Sequence, residues 1–201
     1  MFLLAFRMAY VGNSAYSFLA WNLVLAWLPL ISAFFAYGFQ QKVPGRFRPL
    51  LVVGMGVWLV FLPNAPYLIT DLVHLTPNYS ISFWFDLTMF LAFAGTGLLL
   101  GLISLHWMQR VVANMTSPAA SWLFVFGATT LSSFGVYLGR YLRWNSWDLL
   151  SNPTGLLVDI WENVRHPILH FQTFAFSGLF TLILIAAYLM LNVLTHLQQE
   201  R

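Results

Sequence analysis

The 201-residue chain contains no cysteine. That excludes disulfides, thiolate metal sites and thiol catalysis, and it leaves the redox compartment unmarked. Charge is almost as scarce: Asp, Glu, Lys and Arg make up 7% of residues, against roughly 25% in soluble domains. No basic run suits DNA or RNA, so the formal net charge of +3 speaks of membrane topology and lipid contact and of no nucleic-acid partner. Catalytic signatures are missing as well. The chain has no nucleotide-binding loop, no GxSxG elbow and no HExxH.

What fills the chain is apolar: 60% hydrophobic residues and 18% aromatic ones define an integral membrane protein. Segments near 14–39, 50–70, 83–106, 119–143 and 168–194 each supply the about 20 residues that a membrane helix needs. The opening "MFLLAFRMAY" is too short to span and lacks a signal-peptide cleavage pattern, so it reads as an interfacial segment or the remnant of a further helix. No repeat, low-complexity tract or soluble domain is visible. These features predict one all-α domain over residues 1–201, a bundle of five transmembrane helices carrying a short interfacial amphipathic helix.

Five spans divide the polar residues between two faces. Lys42, Arg46, Arg48, Arg110 and Arg201 fall on one; Arg7, Arg140, Arg143 and Arg165 on the other. Acids segregate more sharply, with Asp71, Asp86, Asp148, Asp159 and Glu162 on the second face and only Glu200 on the first. His74, His166 and His170 join the acids. Discounting arginines held by partners, the positive-inside rule makes the first face cytoplasmic. The expected location is therefore the inner or plasma membrane of the cell, with the polar cluster on the extracytoplasmic side.

The stretch "FLPNAPYLITDLVHL", residues 61–75, breaks the second span. At 1.5 Å per residue from Leu50, Pro63 lies roughly 20 Å into a hydrocarbon core about 30 Å thick. Pro63 and Pro66 lack N–H donors, so backbone carbonyls near Leu59 and Leu62 need other partners: neighbouring helices, the Asn64 amide or water. An interrupted helix at that depth either shapes the bundle or lines a site.

Beyond the break, Asp71 and His74 stand three apart and share a helical face. Such a pair can be an ion pair, a proton relay or two metal ligands. In "HPILH", His166 and His170 are four apart, with Pro167 placed to start the fifth span. With Asp71 and His74 they compose a ligand set for a divalent transition metal such as Zn; a hydrogen-bonded polar network and a proton relay are the alternatives. Arg140 and Arg143, one turn apart, either anchor a helix end by pairing with Asp71, Asp86 or Asp148, or clamp an anionic head group. Asn152 followed by Pro153 marks a helix start, and Leu156, Leu157, Ile160, Trp161 and Val164 recur along the helix that follows. Trp144, Trp147 and Trp161 suit the aromatic belt of a membrane interface. Gly97, Gly101, Gly135 and Gly139 read as sites of close helix packing.

The blocks "FLPNAPYLITDLVHL" and "SSFGVYLGRYLRWNSWD", preceded by "WNLVLAWLPL", resemble a bacterial multi-pass membrane family catalogued as domain of unknown function 1361. That resemblance covers the chain from about residue 20 and implies Asn64, Pro66, Asp71, His74, Arg140, Arg143, Asn145 and Asp148 as motif positions. It implies no activity, substrate or cofactor. Three function classes follow from the residues. A membrane-embedded enzyme acting on a lipid or lipid-linked substrate would use Asp71, His74 and Asp148 as acid and base, with Asn64, Tyr67, Arg140, Arg143 and Asn145 holding the substrate. A proton-coupled carrier would use the broken span as its binding element. An assembly protein would need only the glycines and the surface helix.

Overall fold

The computed structural model describes residues 1–42, 48–75 and 82–199, and the described residues are helical almost throughout. Helix α1 (Phe2–Val11) ends at Gly12, whose φ of 72° lets its N–H reach Met8 O. Then come α2 (Phe18–Lys42), α3 (Arg48–Phe61) and α4 (Asn64–Thr70), the last running into a 3-10 turn (Asp71–His74). Helices α5 (Phe83–Met115), α6 (Pro118–Tyr141), α7 (Asp148–Ser151), α8 (Pro153–Arg165) and α9 (Phe171–Gln199) complete the order. Among the described residues, five segments are long and apolar enough to cross a membrane: Phe18–Lys42, Pro49–His74, Phe83–Met115, Pro118–Tyr141 and Phe171–Thr195. The predicted all-α membrane bundle is the observed fold.

Helix α5 lies at the centre, against α2, α4 and α6, while α9 packs on α6. Its 33 residues outrun the predicted 83–106 segment. Hydropathy sees only the apolar run, whereas the helix needs merely the absence of a breaker and continues until Thr116. Its polar end is held by α2, where Gln40 donates to Val111 O at 2.7 Å and accepts from Asn114 at 3.2 Å.

Helix α4, the segment after the break, is clasped between α5 and α6. A Cβ at Gly97 would come within 2.5 Å of Ala65 O, and one at Gly135 within 2.6 Å of Pro63 Cγ. Only glycine permits these approaches, so the expected packing role of both residues holds. The break itself is a turn at Leu62 and Pro63. Three carbonyls beside it find new donors: Leu62 O takes Ala65 N at 3.2 Å, Phe61 O takes Asn64 Nδ2 at 3.0 Å, and Val60 O takes Ser146 Oγ at 2.9 Å. The Asn64 amide thus plays the covering part foreseen for it.

At the start of α8, Asn152 Oδ1 accepts from Gly155 N at 3.1 Å with Pro153 in the first turn, as the sequence predicts. The helix rests on the bundle through Leu156 and Asn163, while Leu157, Trp161 and Val164 stay exposed. Asn163 accepts from Thr173 Oγ1 at 2.7 Å, which ties α8 to α9. Pro167 does not start the fifth span. It opens a turn over residues 167–170, and α9 begins at Phe171 because His170 N still bonds back to His166 O at 3.0 Å.

Candidate functional site

Where α4 passes into its 3-10 turn, the broken span presents Tyr67, Thr70, Asp71 and His74 on one side, and α6 brings Arg140 to them. Asp71 is fully buried, and both its oxygens are used: Oδ1 accepts from Arg140 Nη2, and Oδ2 from Asn22 Nδ2 of α2 at 2.8 Å. Arg140 also donates from Nε and Nη2 to Thr70 Oγ1 at 2.9 and 2.8 Å. Its Nη1 lies 2.8 Å from His74 Nε2. A guanidinium cannot accept, so the imidazole nitrogen does, and the ring proton sits on Nδ1. The guanidinium carbon lies 4.4 Å from the centroid of the Tyr67 ring, a cation–π contact. All three guanidinium nitrogens thereby have partners. A buried charge in a membrane needs such company, and the pairing of Arg140 with Asp71 is one of those the sequence suggested.

Next to this ionic centre is a cleft of about 220 Å³. Pro63, Asn64 and Tyr67 of the broken span, Asn22 and Trp21 of α2, Gly135 and Gly139 of α6, and Trp144, Asn145, Ser146 and Trp147 of the connection to α7 line it. Asn22 and Tyr67 belong to both: each touches a member of the Arg140–Asp71 pair and also faces the cleft. Trp144 is fixed from behind, its Nε1 donating to Asp159 Oδ2 of α8 at 2.8 Å. Tyr67 is the one ionisable residue among those lining the cleft.

The remaining expected residues fall elsewhere. Arg143 is exposed, has φ of 61°, and makes no hydrogen bond or ion pair among the described residues. It closes α6: Trp144 N returns to Leu138 O at 3.2 Å across it, a left-handed helix ending. Asp148 accepts from the Asn145 backbone N–H at 2.7 Å, from Asn145 Nδ2 at 3.2 Å and from Ser151 Oγ at 2.9 Å. The Asn145 N–H above all holds the Asp148 carboxyl below the usual carboxylate range. Its geometry is that of a turn cap. His166 is exposed beyond α8, 3.9 Å from Glu162.

The suggested metal ligands Asp71, His74, His166 and His170 are not gathered. Among the described residues no three of His, Asp or Glu come close enough to hold an ion. Between Asp71 and His74 stands the Arg140 guanidinium, which would repel one.

Several residues of the site lie within the blocks that carry the family resemblance but have no chemical signature of their own. Asn22, Thr70, Ser146 and Trp21 look like ordinary members of apolar or loop segments, and only the fold shows them facing the break. Arg7 is the larger surprise. It lies fully buried and donates from Nε and Nη2 to the two oxygens of Asp86 at 2.7 and 3.2 Å, beneath Tyr16, whose ring centroid is 3.9 Å away. A lone arginine in a ten-residue apolar helix is itself the available signal, since it needs a carboxylate.

Five apolar helices of membrane-spanning length, a break in the second of them and a cleft beside the Arg140–Asp71 pair define a multi-pass helical membrane protein. The chain belongs to the family described as protein of unknown function (DUF1361), whose model matches residues 21–187. Comparison with curated proteins and with solved structures gives no match.

Proposed function

We propose that the protein binds a membrane amphiphile, a lipid or lipid-linked molecule, with its polar end in the cleft beside the broken span. One observation carries this reading: the cleft combines indole and phenol rings with amide and hydroxyl groups next to an intramembrane helix break, while Trp21 and Trp147 at its edge are partly exposed. Amphiphiles match that pattern, apolar rings beside the tail and neutral polar groups beside the head. Binding is favoured over acid–base catalysis by the same geometry. Asp71 has no free oxygen, Asp148 caps its own turn, and the His74 lone pair is given to Arg140. The membrane-embedded enzyme expected from the sequence would thus draw its reacting group from outside these residues.

For the orientation, Arg7 and Arg140 are neutralised by Asp86 and Asp71, which leaves Arg143 and Arg165 on that face against the five Lys and Arg residues that the sequence assigns to the face of Lys42 and Arg110. This supports an extracytoplasmic cleft in the cell membrane.

A diazirine-bearing phospholipid photo-crosslinked to the protein in nanodiscs tests the binding. Adducts should map to 144–149, and Leu149→Trp, which fills the cleft, should remove them. Labelling spread evenly over the outer faces of α2 and α3, unchanged by Leu149→Trp, would overturn the reading.

A further inference from the structure

The three amides that line the cleft share one arrangement. Asn22 Nδ2 donates to the Asp71 carboxylate, Asn145 Nδ2 to the Asp148 carboxylate at 3.2 Å, and Asn64 Nδ2 to Phe61 O at 3.0 Å and Ser146 Oγ at 2.9 Å. Carboxylates and backbone carbonyls only accept, so these partners fix which end of each amide is nitrogen. The carbonyl oxygens Oδ1 of Asn22, Asn64 and Asn145 take no hydrogen bond among the described residues. The same holds for the indole N–H groups of Trp21 and Trp147 and for the Tyr67 hydroxyl. The unused polar groups of the cleft are therefore neutral: three amide acceptors, two indole donors and a phenol that can do either.

From this we infer that the polar end of the bound amphiphile is an uncharged, hydroxyl-rich head group of the glycosyl type, an inference that rests on the amphiphile reading above. Hydroxyls donate to amide oxygens and accept from indole N–H groups, and the C–H faces of a sugar ring lie against indole planes. The size agrees. At about 220 Å³ the cleft is smaller than the roughly 300–1,000 Å³ of drug-sized pockets, which suits a single ring whose acyl tails stay in the bilayer.

Charged head groups fit less well. A phosphate calls for cationic or N–H-rich walls, yet no Lys, Arg or His lines the cleft, and the nearby Arg140 is spent on Asp71 and stacked behind Tyr67. A quaternary ammonium calls for open aromatic faces backed by a carboxylate. Tyr67 already carries Arg140 on one face, and no Asp or Glu lines the cleft.

Native mass spectrometry of the full chain, purified in a detergent without sugar, decides the point with three probes of matched acyl chains: monoglucosyl diacylglycerol, phosphatidylglycerol and phosphatidylcholine. The glucosyl lipid should bind about tenfold more tightly than either phospholipid, and Asn145→Leu and Trp147→Ala should each remove most of that preference. Trp147 is exposed and its indole N–H holds nothing, so its loss leaves the bundle folded and keeps the test valid should Asn145→Leu misfold. Equal or tighter retention of either phospholipid would overturn the head-group class while leaving the amphiphile reading in place. Retention of none of the three would overturn that reading itself, and a preference unchanged in both variants would place sugar recognition outside the cleft.

Discussion

Arg7 and Asp86 meet as a doubly hydrogen-bonded pair, 2.7 and 3.2 Å, with both side chains about 1% exposed. This contact bolts the short first helix to the start of the central one. Breaking a buried pair by removing one partner costs about 3–5 kcal/mol, because the surviving charge is left without compensation. Arg7→Met and Asp86→Leu should each lower the melting temperature in detergent sharply. The double variant should recover most of the loss, and an additive double loss would contradict the pairing.

Arg140 and Arg143 should part company on substitution. Arg140→Gln strands the buried Asp71 and should destabilise by an amount similar to Arg7→Met. Arg143→Gly should be neutral or stabilising by up to about 1 kcal/mol, since glycine takes the left-handed backbone at no steric cost. Thermal melts of the two variants side by side check this.

Packing at the break predicts a third result. A side chain at Gly135 collides with Pro63, so Gly135→Val should destabilise the protein strongly, while Gly127→Val, which meets nothing within 4 Å, should not. Expression level and melting temperature in detergent report the difference.

The Asp148 cap gives a pH dependence. Its carboxyl is depressed by the Asn145 N–H, so the stabilisation is fully present above the ordinary carboxylate value near 3.9 and is lost as pH falls through the lower folded value. The protection of amides in 145–151, their exchange rate taken relative to the intrinsic rate at each pH, should fall only below about pH 4. In Asp148→Asn that protection should be low at neutral pH too.

Topology is open to direct labelling. Single cysteines at positions 42 and 148 of this cysteine-free chain should react from opposite sides of a sealed vesicle. Equal reaction from one side would remove the five-span arrangement.

Much of this architecture is readable before any coordinates. Apolar run length gives the spans, Asn152–Pro153 gives the start of α8, and paired glycines give the packing of the broken span. The pairing of Arg140 with Asp71 follows from the high cost of a lone buried charge. What sequence could not supply is which partner each group selects. Asp71 and His74 have the spacing of ligands, and only the position of α6 decides that a guanidinium sits between them. Arg7 lies 79 residues from Asp86, and no periodicity relates them. The cleft draws on α2, the second span, α6 and the following connection, so its walls have no common motif.

The clasped break also sets an order of assembly. Segment α4 is held by glycines of α5 and α6, and the carbonyl of Val60 is covered by the hydroxyl of Ser146. All of these lie later in the chain. As the polypeptide emerges from its N-terminus, the second span enters the bilayer before the groups that complete it exist. Its exposed backbone must be borne by water or lipid head groups until more than eighty further residues have followed. Maturation of this span is thus a late event, finished from outside the helix by a loop, and truncations ending before Ser146 should leave it a target for membrane quality control.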